Sequence, residues 1–490
     1  MGKQVIVIGA GIAGLTAGIY ARRSGFDVTI FEQHTIPGGM CTSWRRKGYL
    51  FEGAIHWLTG SSPKTGINEI WRDVGALSDN VKIFYPEVFA SVEWENKTIC
   101  LYRDMEKTRK HLLNISPEDT GVINQLMKEV QSLSKISIPI TDVKGIKTKN
   151  PKKMKLGSLI KMFPALPVMG RNIKMSTAEY AGRFKHPALR KLINYMPPEY
   201  SATALLFTLS TLANGDGGYP EGGSLAMTQR MADTFKTLGG KLSLGTKVKK
   251  VIIENGIATG VELETGTLSA DAVIITQETI AAVHKLFTTP LKEKWLMKLL
   301  QDSRSSVCTF VGVGIRAKIA ETPTFDLPEP IVCGGISYST LGFNNYFGYK
   351  DYAPEGGTVL TTVFLDDTYD FWKKAKDEGR YDAEKQALAL QISRIICAKY
   401  PQAEGNIEVI DIATPLTYER YTGAYRGSWM GIMKKGDKQA QYPGFLNSVK
   451  GVYFAGHRMM SPGGLPVALL SGRQAAQMAC RQFKATFIDK

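Results

Sequence analysis

Apolar residues run unbroken through VIVI at 5–8, then recur at helical spacing from Ile12 until Gly25 ends them. This pattern predicts a buried strand followed by a helix, and DVTIF at 27–31 predicts a second buried strand. Apolar and polar residues then alternate through 91–102 as in a hairpin turning at Glu95-Asn96, and Ser116 to Asp119 reads as the N-cap of a helix reaching about Leu133. The apolar run SATALLFTLSTLA at 201–213 is too short to span a bilayer, so it is either a core helix or the wall of a lipid-shaped tunnel. Paired glycines and an amphipathic helix follow in 219–240. Short strands then return in 247–256, 258–266 and 270–276. A mixed region has strands near 307–316 and 358–365 and a helix near 382–399; the chain closes with a strand, Gly456, a Gly-Pro loop and a helix from Leu465. The late return of short strands implies a nucleotide-binding domain assembled from separated segments.

Between the first strand and helix lies GAGIAG at 9–14, a G-x-G-x-x-G run. Gly9 permits the tight turn, Gly11 lets backbone approach a pyrophosphate, Gly14 lets the helix pack on the strand, and the helix N-terminus faces the anion. Glu32 ends the second strand about 20 residues on, where a carboxylate binds ribose hydroxyls and repels a 2′-phosphate. NADP is thereby disfavoured, while FAD and NAD both remain.

A chain of 490 residues with 43% hydrophobic content is long enough for two domains. The six cysteines, at 41, 100, 308, 333, 397 and 480, are scattered without C-x-x-C or metal-ligand spacing, as expected of thiols in a reducing cytoplasm with no metal site. No leader peptide or membrane span is predicted. The net charge of +16 is concentrated: thirteen Lys or Arg stand against Glu179 alone between Lys144 and Lys191. Within that stretch, 152–175 intersperses Leu, Ile, Met, Phe and Val among the cations. An anionic membrane surface on the cytoplasmic side would favour that mixture; the alternative is a solvated loop or a lid. Nucleic acid is not indicated, since no RNA- or DNA-binding module is matched. Oligomeric state is not specified.

Three stretches together, FEQHTIPGGMCTSWRRKGYLFEGAIHWLTG at 31–60, YPEGG at 219–223 and YFAGHRMMSPGGLPVALLSGRQAAQ at 453–477, resemble the phytoene desaturase-type flavoproteins. The nearest branch is the one holding carotenoid isomerase and retinol saturase. The resemblance implies an α/β fold: a Rossmann-like FAD-binding domain of glutathione-reductase type, built from 1–75, 219–290 and 441–490. A second, α+β substrate domain would come from 76–218, which carries the membrane-associating stretch, and 291–440. It implies FAD, with Gly9, Gly11, Ala13 and Gly14 at the pyrophosphate, Glu32 at the ribose, and Gly39 and Met40 along the ribityl path. Val248, in the 247–251 strand, would meet the adenine through its backbone; Gly456, Leu465 and Pro466 would face the pyrophosphate and the flavin carbonyl edge. A helix N-terminus there suits the negative charge of reduced flavin. Two positions depart from the family pattern: Met40 stands where Arg is usual and His457 where Asp is usual.

The activity implied is FAD-dependent desaturation, saturation or isomerisation of a long apolar unsaturated substrate such as a carotenoid or retinoid. An amine-oxidase-like flavoprotein, or a peripheral membrane protein that binds FAD without turnover, are the alternatives. Candidate catalytic residues are His56, placed beside the flavin by the resemblance, Glu221 next to the paired glycines, and Tyr421 within the cluster Tyr418, Tyr421 and Tyr425. A satisfied core histidine, a loop acid and simple aromatic packing are the competing readings. No G-x-S-x-G, H-E-x-x-H or Walker loop occurs, and no second G-x-G-x-x-G identifies the electron donor.

Overall fold

The computed structural model describes residues 2–136, 138–152, 162–301, 305–438, 440–461 and 463–490. Its organising element is a five-stranded parallel sheet in the order Lys241–Ser243, Asp27–Phe31, Gln4–Ile8, Ala272–Ile275, Val452–Phe454. Strands from the beginning, middle and end of the chain thus share one sheet, and the central pair, Gln4–Ile8 and Ala272–Ile275, is rich in Val and Ile because both of its faces are covered. The first helix, Ile12–Arg23, packs between the sheet and the closing helix, Leu465–Phe483. The two backbones approach closely at Gly472, where a Cβ would stand 2.3 Å from the Ala13 carbonyl oxygen. The antiparallel strands Lys250–Glu254, Ile257–Leu263 and Gly266–Ser269 form a small sheet beside it. Val248 precedes this sheet rather than lying in a strand.

A second sheet is antiparallel, in the order Asn344–Asn345, Thr358–Phe364, Thr309–Ile315, Ile407–Ala413. Alternate residues of its central strand face opposite ways: Val311, Val313 and Ile315 meet the helix Tyr381–Lys399, while Gly312 and Gly314 lie against the rings of Phe51 and Tyr49. Those bare positions let an aromatic layer from the N-terminal segment lie flat on the sheet. A third core gathers the hairpin Val88–Trp94/Lys97–Tyr102 with the helices Thr120–Leu133, Pro187–Ile193 and Ala202–Ala213. The hairpin turns at Glu95 and Asn96, both at positive φ, as its alternation predicts.

The helix Ala202–Ala213 is a core helix that also walls a cavity. Leu205, Leu206, Leu209 and Leu212 point into the helical core, while Ala204, Phe207, Thr208 and Thr211, one face at helical spacing, line a cavity. All six cysteines are free thiols, five of them buried. Among the described residues no helix is long and apolar enough to cross a membrane, and no His, Cys, Asp and Glu group could hold a metal ion. The cation-rich 152–175 stretch is described only at 152 and 162–175; residues 153–161 lie outside the described residues.

Candidate active site

A cavity of about 1130 Å³ runs from the glycine turn to the helical region. At one end Gly9 takes φ +102°, open to glycine, and the turn leads into the Ile12–Arg23 helix, whose N-cap, Gly11, supplies no side-chain cap. The loop of Gly38 and Gly39 lies along this turn: the Gly38 amide donates to the Ala10 carbonyl at 2.9 Å, and a Cβ on Gly39 would touch the Gly11 Cα at 3.5 Å. The closing helix also enters this end without a side-chain cap, from Gly464 at φ +84°. Two sets of first-turn amides therefore open on one cavity, each carrying the partial positive charge of a helix N-terminus.

Glu32 is buried where the second strand ends. Its carboxylate accepts from the Ala10 amide at 2.7 Å and the His34 amide at 2.8 Å, which fixes it at the cavity wall. Burial raises its pKa, against the lowering effect of those amides. Gly9, Gly11, Ala13, Gly39, Met40, Val248, Gly456, Leu465 and Pro466 line the same cavity. Gly14 does not. A Cβ there would stand 1.9 Å from the Gly9 carbonyl oxygen, so this glycine serves the packing of the turn under its own helix.

His56 lines the cavity where three separated parts of the chain meet. The Asn344 amide nitrogen, at the edge of the second sheet, donates to its Nδ1 at 3.0 Å, and Trp429 stands edge-on with ring centroids 5.7 Å apart. With Nδ1 accepting, the ring proton resides on Nε2. Burial pushes the His56 pKa down to about 4, so the imidazole is neutral at physiological pH. His457 is likewise pushed down to about 4, by burial first and the adjacent Arg458 second.

The structure does not bring the other catalytic candidates here. Glu221 lies outside the cavity lining, with its carboxylate 3.7 Å from Lys350 Nζ and its amide bonded to the Lys82 carbonyl. Tyr421 is a surface residue packed edge-on against His34 and under Arg420; Tyr425 is also exposed, and Tyr418 is buried in the aromatic layer of the second sheet. In TYERYTGAYRG the helix Pro415–Thr422 directs the rings away, and only Thr422 and Ala424 reach the cavity.

Three groups of the site escape a linear reading. Glu278 caps the helix Thr279–Leu286 and forms a buried ion pair with Arg458 at 3.0 Å, both in the cavity lining. Asp216 accepts from the Gly60 amide, the Ser61 hydroxyl and the Ser62 amide at 2.7–2.9 Å, which holds the loop after His56. Glu52, fully buried, accepts from the amides of Ala54, Ile55 and Ser224 and from the Ser224 hydroxyl, and so ties the His56 segment to the helix Gly223–Thr237. The acid before TIAAV is a cap signal that marks Glu278; the others depend on partners 150 or more positions away.

The sequence pattern of the flavin containing amine oxidoreductases matches residues 12–480, from the glycine turn to the closing helix. The chain belongs to that family. It is similar to a 1-hydroxycarotenoid 3,4-desaturase from a Flavobacterium species, 23% identical over 97% of this chain and 99% of that protein. A prolycopene isomerase from an Oncidium hybrid cultivar is 22% identical over 96% of this chain and 83% of its own length. Among solved structures, cyclohexylamine oxidase from Brevibacterium oxydans aligns with a TM-score of 0.59 at 15% identity, covering 99% of this chain and 100% of that one, which shows a shared fold. The resemblance to phytoene desaturase-type flavoproteins is thus borne out, and the chain is a flavoprotein oxidoreductase with FAD as its cofactor. The donor set suits that group: two uncapped helix N-termini for a pyrophosphate and a buried carboxylate for ribose hydroxyls.

Proposed function

We propose that this flavoenzyme acts on C–C or C=C bonds of a long apolar unsaturated lipid of carotenoid or retinoid type, by desaturation, saturation or isomerisation. The observation that carries the reading is the cavity's second arm, lined by Leu133, Ile136, Met162, Met169, Met196 and Phe207 and continuous with the nucleotide end. An arm of this composition accepts a chain without polar groups and excludes water from the reacting bond. The relatives named as carotenoid desaturases and prolycopene isomerases point the same way. A small amine fits less well, because Asp216, the carboxylate of that arm, already accepts three hydrogen bonds.

FAD, when bound, supplies hydride acceptance or donation. In this reading Gly9, Gly11 and Ala13 hold its pyrophosphate with the closing-helix turn at Gly456, Leu465 and Pro466, Glu32 its ribose, Gly39 and Met40 its ribityl chain, and the Val248 backbone its adenine. His56 presents a neutral Nε2–H to the cavity, held by Asn344 and Trp429. With its pKa near 4 it is a hydrogen-bond donor and a weak base rather than an imidazolium acid.

The described part of the 152–175 stretch supports a contact with anionic membrane. Phe163 and Leu166 are 65% and 49% exposed, while Met162 and Met169 of the same segment face the cavity, so a lipid entering there would pass between bilayer and arm. The deciding experiment incubates the FAD-loaded protein, presented on anionic liposomes, with polyenes of several lengths, and follows mass and double-bond geometry. A loss or gain of two hydrogens, or an isomer of unchanged mass, is expected. Unchanged polyenes together with flavin bleaching by an aliphatic amine would replace this reading with amine oxidation.

A further inference from the structure

The apolar arm has a charged mouth. Lys64 and Lys135 both line the cavity and both are exposed, whereas Ile67 and Leu133, three and two residues away, are buried inside it. Exposed lining residues mark where the arm opens to solvent. The two lysines come from loops 71 positions apart in sequence, yet one short segment holds both loops. The Asn214 side-chain amide donates to the Ser134 carbonyl, next to Lys135, at 2.5 Å. Asp216, two residues on, accepts from the Ser61 hydroxyl and the Ser62 amide at 2.9 Å, two residues before Lys64. The end of the helix Ala202–Ala213 therefore holds both lysine-bearing loops at the cavity, while its Phe207 and Thr211 form part of the wall. Neither ammonium has an ion-pair partner among the described residues. The carboxylate nearest in sequence to this segment, Asp216, is buried and fully engaged by its own loop.

We propose that this mouth is a recognition site for an anionic head, and that the unsaturated substrate ends in a carboxylate that docks between Lys64 and Lys135 while its chain fills the arm. The inference rests on the lipid reading given above and narrows it from hydrocarbons to acid-ended polyenes. A carboxylate left at a solvated mouth keeps its hydration and gains two cations, whereas the same group inside the apolar arm would lose its hydration with no partner. Exposed ion pairs are individually weak, so the two together give a preference of about tenfold rather than an absolute requirement. The competing account is that the lysines only offset the carbonyl ends of the helices Thr120–Leu133 and Ala202–Ala213. That account predicts an effect on stability and none on ligand choice.

The test titrates the FAD-loaded protein with cis-parinaric acid and with its methyl ester, whose shared tetraene fluoresces on apolar burial. At about 0.05 M salt the acid should bind roughly tenfold more tightly than the ester, and about 0.5 M salt should erase most of the difference. Lys64→Gln and Lys135→Gln should each weaken the acid by about threefold and together by about tenfold, with the ester unmoved. Lys64→Arg and Lys135→Arg, which keep the charge, should keep the preference. Equal binding of acid and ester by the unaltered protein overturns the proposal and leaves the lipid reading standing. An acid preference that survives the double Gln variant overturns it as well, by moving the head elsewhere. If neither ligand binds, both this proposal and the apolar substrate reading fail.

Discussion

The two ends of the cavity are built from different materials. The nucleotide end is made of backbone: the glycine turn, the Gly38-Gly39 loop laid against it, and two helix N-termini without side-chain caps. The apolar arm is made of side chains, contributed by helices and loops from 54 to 216 that meet only in the folded molecule. Backbone recognition tolerates almost no change at the residues that permit it, because the constraint is a close approach. Side-chain walls tolerate exchange of one apolar group for another of similar volume. The largest effect is therefore expected where backbone touches backbone. Gly14→Ala would place a Cβ 1.9 Å from the Gly9 carbonyl oxygen and 2.8 Å from the Thr276 hydroxyl. The turn must deform, and FAD affinity should fall by about 100-fold or more, with a loss of stability on the order of 3 kcal/mol, read by flavin absorbance after gel filtration and by thermal unfolding. Met169→Leu, a comparable change in the arm, should leave both within error. A Gly14→Ala protein that stays yellow would erase the contrast.

The same contrast explains what could be read from the sequence. The run VIVIGAGIAG carries its own geometry, because strand, turn and helix are local and each glycine has a local reason. Glu32 was legible for the same cause, since the acid ends a recognisable strand. Gly14 was legible for its packing role, which follows from spacing, while the structure places it behind the turn rather than in the cavity lining. Glu221 and Tyr421 lie away from the cavity lining, because proximity to a glycine pair or an aromatic cluster says nothing about which way a side chain points. His56 required the family resemblance. Its partners, Asn344 and Trp429, lie 288 and 373 positions away, and no periodicity links them.

Two buried carboxylates sharpen the comparison at the next level. Glu32 and Glu52 both have pKa values raised by burial, and both accept backbone amides, but only Glu32 lines the cavity. Removing Glu32 leaves the Ala10 and His34 amides without their acceptor and takes away the proposed ribose partner. Glu32→Ala should therefore weaken FAD by about 10- to 100-fold. Glu52→Gln keeps one acceptor oxygen for the four donors it serves, so it should lower the unfolding temperature while leaving the FAD dissociation constant within about threefold. Equal loss of FAD from both variants, measured by dialysis and fluorescence of released flavin, would show that the nucleotide end depends on buried scaffolding as much as on its own lining.

His56 stands at the junction of the two ends. The unfolded chain takes up a proton at this imidazole near pH 6.5, whereas the folded protein does so only near pH 4, because burial disfavours the charged ring. Stability attributable to the neutral imidazole is thus fully present above pH 6.5 and is lost as pH falls towards 4. Glu32 and Glu52 act in the opposite sense, since carboxyls with raised pKa values favour the folded state at low pH, so the raw pH dependence of the protein mixes both signs. Comparison with His56→Gln isolates the one imidazole, because the carboxyls are common to both proteins. Between pH 6.5 and 4 the unaltered protein should lose stability relative to the variant, with a slope no steeper than the one-proton limit of about 1.4 kcal/mol per pH unit. Above pH 6.5 the difference should be constant, and the rate of polyene turnover should show no limb near pH 6.5 arising from this residue. Parallel stability curves across the whole range would mean that His56 titrates as a solvated group, and that the junction is open to water rather than sealed by Trp429 and Asn344.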